Sequence, residues 1–131
     1  MQNQLEAAGG LLVALALLHA AFPRYFNWRR ELAPLSLLSR QLMYVHTFFV
    51  AFTVFLMGLL CLTSAAELAG TALGHRVALG LGVFWLARLV LQFFGYSAEL
   101  WRGKRFETAV HLLFSGLWIY LTTLFFKVAA G

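Results

Sequence analysis

Residues 42–64 read LMYVHTFFVAFTVFLMGLLCLTS, an unbroken run with no charged side chain and no proline. As a helix, a run of about 20 such residues crosses the ~30 Å hydrocarbon layer of a bilayer. The run is too long for a barrel strand of about 9–11 residues and lacks the two-residue alternation that such a strand needs. It reads as a transmembrane helix. Outward from it, three further segments have the same character: about 5–22, ending before Pro23, about 77–96 and about 106–126. The stretch 34–41 leads into the central span and is expected to form a short interfacial helix, since proline suits a first helical turn.

Composition excludes the alternatives. Of 131 residues, 62% are hydrophobic and 11% charged, whereas a soluble domain carries about 25% charged residues. A chain this apolar also has ample surface to bury, which excludes disorder. The length admits one domain. The expectation is therefore all-α: a single integral-membrane four-helix bundle over 1–131, with antiparallel neighbours because the connections are short. Residues 1–10 contain no Lys or Arg, so the first segment is read as a retained span rather than a cleaved signal.

Charge sets the expected orientation. Arg24, Arg29, Arg30 and Arg40 follow the first span, and Arg102, Lys104 and Arg105 follow the third. Arg76 alone follows the second span, and Lys127 lies near the C-terminus. Seven basic residues against two place the first and third loops in the cytoplasm and both termini on the non-cytoplasmic side. The expected location is the inner (cytoplasmic) membrane of a bacterial-type cell, as a multi-pass protein. The formal charge of +5 is then a topology signal and a contact with lipid headgroups, not a nucleic-acid footprint. Cys61 stands alone, which excludes a disulfide framework and a cysteine-based redox pair.

Small residues four apart mark expected helix contacts: Gly10 with Ala14, Ala16 with Ala20, Gly70 with Gly74, and Ala78 with Gly82. Polar residues at membrane depth are more informative, because lipid makes each of them costly. Trp85, Arg88, Gln92, Tyr96 and Glu99 fall on one helical face of the third span; Glu107, His111, Ser115, Trp118 and Thr122 do the same on the fourth. His46, Thr53, Met57 and Ser64 form a sparser stripe on the second, and His19 is the first span's contribution. Polar faces on three spans predict that these faces meet inside the bundle.

Counted from the nearest basic anchor, His19, His46 and His111 each lie roughly 8–9 Å inside the cytoplasmic boundary, and Tyr96 falls in the same layer. Such a layer suits two chemistries. Imidazoles on alternate spans can clamp a b-type haem, with His46 and His111 as the preferred ligands and His19 and Tyr96 in support. Alternatively, His19, His46 and His111 can hold a transition metal with an open fourth position. The pairing of histidines two helices apart is similar to that of transmembrane diheme cytochromes, although one pair is present here rather than two and no family motif accompanies it. The competing reading is that each histidine simply bonds a carbonyl near a helix end.

Arg88 lies about 18–21 Å of helix from the anchors on either side, close to the midplane. Trp85 and Gln92 offer it cation–π and amide contacts, and an acidic group such as a haem propionate or a lipid phosphate would offer more. The leading function expected from these residues is membrane electron transfer through haem or a metal, with a quinone or a partner subunit as the other party. The main alternative is a cofactor-free accessory or structural subunit of a larger membrane complex, and the third is a lipid-modifying enzyme or carrier whose anionic substrate meets Arg88. Expected partners are membrane lipids and other membrane subunits or a second copy of the chain; nucleic acid is not among them.

Overall fold

The computed structural model describes residues 2–95 and 103–131. It is all-helical among these residues, with four long apolar helices of membrane-crossing length: α1 (Gln2–Tyr25), α3 (Leu37–Thr63), α5 (Ala72–Phe94) and α6 (Arg105–Ala130). Two short helices lie between them, α2 (Trp28–Glu31) and α4 (Ala65–Gly70). The chain divides into two compact units, residues 3–65 and residues 66–131, and the long helices pack as antiparallel pairs.

In the first unit α1 continues through Pro23 to Tyr25, three residues beyond the helix end expected before that proline. Proline cannot donate to the carbonyl four residues back, but so near a helix end only the last turn is affected. Asn27 then takes a left-handed conformation, φ 53°, as an amide side chain tolerates, and turns the chain into α2. Ser36 caps α3, its Oγ accepting the Ser39 N–H at 3.2 Å. Residues 37–41 are therefore the first turn of the long helix itself rather than a separate interfacial helix.

The pair is built on glycine. A Cβ on Gly9 would stand 2.8 Å from the Gly58 carbonyl oxygen, and one on Gly58 would stand 2.8 Å from that of Gly9. The two backbones touch, as small residues allow in lipid, where burial alone cannot drive association. The expected Gly10–Ala14 pair points elsewhere: both residues are exposed, and nothing lies within 4 Å of a Gly10 Cβ. Trp28 is buried with its ring edge-on to Tyr44 at 5.4 Å.

The second unit starts at α4. Thr71 joins α4 to α5 by donating its hydroxyl to the Glu67 carbonyl at 2.7 Å and accepting the Gly74 N–H at 2.9 Å. Gly74 lies so close to the Glu67 carbonyl that no Cβ fits. Along α5, Gly74, Ala78, Gly82, Trp85 and Gln92 form one buried face, and Phe126 of α6 lies over Gly82, its ring 3.2 Å from where a Cβ would be. The expected Ala78–Gly82 pair thus lies on the buried face of α5. Outside these seams the helices are covered in bare apolar side chains, among them Phe48, Phe52, Leu91 and Leu113, a surface suited to hydrocarbon.

Candidate functional site

The stripes of α5 and α6 face one another, and Gln92 is their hub. Its Oε1 accepts from Arg88 Nη1 at 3.2 Å and from Trp118 Nε1 at 3.3 Å. Its Nε2 donates to His111 Nδ1 at 3.0 Å. Arg88 and Trp118 can only donate, so they fix which end of the amide is oxygen. That in turn makes His111 Nδ1 an acceptor and leaves the ring's hydrogen on Nε2. Gln92, His111 and Trp118 are all more than 90% buried.

Aromatic contacts extend the cluster along the helices. Trp85 and Trp118 stack at 5.1 Å with 13° between their planes, and Phe114 stacks on Trp118 at 5.7 Å. The Arg88 guanidinium lies over the Trp118 ring at 4.9 Å. Among the described residues a cation–π partner is thus supplied by α6, where the sequence pointed to Trp85 on its own helix. Ser115 donates back to the His111 carbonyl at 2.7 Å, which satisfies its hydroxyl within α6. Trp85 Nε1 and Thr122 Oγ1 are buried with no hydrogen-bond partner among the described residues.

The other histidines have local partners. His19 Nδ1 bonds the Leu15 carbonyl and His46 Nδ1 the Leu42 carbonyl, both at 2.8 Å and four residues back. His75 Nε2 bonds the Ala69 carbonyl at 2.8 Å. A carbonyl only accepts, so His19 and His46 carry hydrogen on Nδ1, and His75 carries it on Nε2. His46 is exposed on α3 and His19 half-buried on α1, both in the first unit, whereas His111 is buried in the second. Thr53 is exposed and bonds the Phe49 carbonyl; the face that α3 buries is Val54, Gly58 and Cys61. Tyr96 and Glu99 lie outside the described residues. Among the described residues, no three His, Cys, Asp or Glu side chains gather closely enough to hold a metal ion.

Sequence reasoning placed Gln92 and Trp118 on the right faces but gave neither a central role. A signal was present: Gln92 is the sole carboxamide deep inside an apolar segment, and a buried amide is a four-handed connector. No family model, curated protein or solved structure matches the chain.

Proposed function

We propose that this small four-span protein serves as a structural or accessory subunit of a larger membrane assembly, with α5–α6 as its rigid element. One observation carries the reading: each end of the Gln92 amide bonds a residue of α6, Nε2 to His111 and Oε1 to Trp118, so the polar stripe is occupied by helix–helix hydrogen bonds. Interhelical polar contacts of this kind contribute about 0.6 kcal/mol each in membranes, and the two that Gln92 makes to His111 and Trp118 hold the hairpin in a single register. The test is extraction from the native membrane in mild detergent, followed by native electrophoresis. Co-purifying chains in fixed stoichiometry are expected; a lone 14.7 kDa chain in its micelle overturns the reading.

A redox role is the second reading, favoured by one specific feature. His19 and His46 hold Nδ1–H on a backbone carbonyl, which leaves Nε2 with its lone pair, the form in which histidine ligates haem iron or a metal. On this reading His46 and His111 are the haem ligands, with His19 and Tyr96 in support and Arg88 meeting an acidic group; alternatively, His19, His46 and His111 are the ligands of a metal. Ligation by His111 through Nε2 first requires Gln92 to turn away. Absorbance of the purified protein, oxidised and dithionite-reduced, together with elemental analysis, decides it. A Soret band lost in His46→Ala establishes the haem. Colourless, metal-free protein from cells supplied with both ends the redox reading.

A further inference from the structure

We infer that the end of the α5–α6 hairpin remote from its loop binds an anionic phospholipid, the phosphate on Arg76 and an acyl chain in the groove below. A groove of about 370 Å³ opens there between the two helices, lined by His75, Arg76, Leu79, Phe126, Ala129 and Ala130. Leu79 and Phe126 form apolar walls, and the two alanines leave the space between them unfilled. Phe126 also lies over Gly82, which fixes the ring as the groove's inner wall.

The charge at the mouth is unspent. Arg76 is exposed, and no hydrogen bond or ion pair engages it among the described residues. Lys127 adds a second exposed cation to the last turn of α6. Glu67, the acidic residue of α4, makes no ion pair with Arg76, although α4 packs its backbone against the start of α5. His75 contributes shape rather than charge pairing, since its Nε2–H is held by the Ala69 carbonyl.

A guanidinium over an apolar groove, at the end of two membrane-length helices, matches a lipid in both parts. Arg gives the phosphate a planar donor fork at headgroup depth, the same chemistry by which basic pockets between transmembrane helices hold headgroups on cytoplasmic faces. Free phosphate would use the arginine and leave the apolar walls without a role. The inference goes beyond the subunit reading and does not depend on it.

The test is native mass spectrometry of the full chain released from nanodiscs of equal phosphatidylglycerol and phosphatidylcholine. One retained phosphatidylglycerol per chain is expected, in preference to phosphatidylcholine. Arg76→Gln should lower that retention about fivefold, while Arg76→Lys keeps most of it. Leu79→Trp fills the groove with the charge intact and should lower retention at least as much. Retention unchanged in Arg76→Gln or in Leu79→Trp overturns the site. Displacement of the lipid by millimolar inorganic phosphate overturns it in favour of a free-phosphate site.

Discussion

Gln92 of α5 donates its amide hydrogen to His111 Nδ1 of α6 across 3.0 Å, in a setting where both residues are more than 90% buried. The bond has a direction, set by Arg88 and Trp118 on the far end of the amide.

Gln92→Leu removes all three contacts while keeping the bulk. The imidazole, indole and guanidinium lose a partner at membrane depth, and a loss of about 1–3 kcal/mol is expected. Thermal unfolding in detergent, followed by circular dichroism, reads it. In a double-mutant cycle with His111→Leu the coupling should fall at about 0.6–1.7 kcal/mol; additive losses would mean that the pair does not interact in the folded protein.

The four imidazoles divide two and two. His19 and His46 should show the Nδ1–H tautomer, and His75 and His111 the Nε2–H tautomer. Nitrogen chemical shifts of ¹⁵N-histidine-labelled protein distinguish the two forms. An Nδ1–H signal assigned to His111, by its loss in His111→Leu, contradicts the described orientation of Gln92.

Glycine at the α1–α3 crossing admits no side chain. Gly58→Val should cost about 1–3 kcal/mol through overpacking against the α1 backbone, whereas Gly10→Ala, with open space around it, should leave stability unchanged. Equal melting temperatures for the two variants would show that the backbones do not meet there.

Thr122→Val replaces a buried hydroxyl that has no hydrogen-bond partner among the described residues with a methyl of similar shape. Removing an unpaired polar atom from an apolar site is neutral or favourable. The variant should melt at or above the wild-type temperature. A drop of several degrees would reveal a hydrogen bond to Thr122 in the membrane protein as purified.

Hydropathy and periodicity made the spans and the meeting of the α5 and α6 stripes legible, because lipid penalises a polar residue strongly enough to force it toward a partner. The ends were less legible. A helix carries on through Pro23, and Ser36 starts α3 before the expected span, because capping and last-turn effects are small beside hydrophobic length. The histidine layer exposed a limit of a different kind. Counting residues from an arginine gives depth along a helix but not rotation about it, and rotation sets His46 on an exposed face of α3 and His111 on a buried face of α6. The same blindness chose Gly10 over its neighbour Gly9 as the contact residue, one position and about 100° away.

The Gly9–Gly58 contact and the Gln92 cluster give the two helix pairs different mechanics. Where the backbones cross at Gly9 and Gly58, the side chains beside them are those of Val13, Cys61 and Leu62, whose apolar contacts have no fixed direction, and the helices can scissor about the point of contact without breaking a hydrogen bond. Where an amide ties an arginine, an indole and an imidazole together, any change of angle severs directional bonds. A bilayer that thins or thickens is met in part by helix tilt, so α1 and α3 are the pair that will adjust, as a hinge does, while α5 and α6 keep their angle, as a strut does. Spin-label distances across each pair, compared in short-chain and long-chain lipids, should change between α1 and α3 and hold constant between α5 and α6.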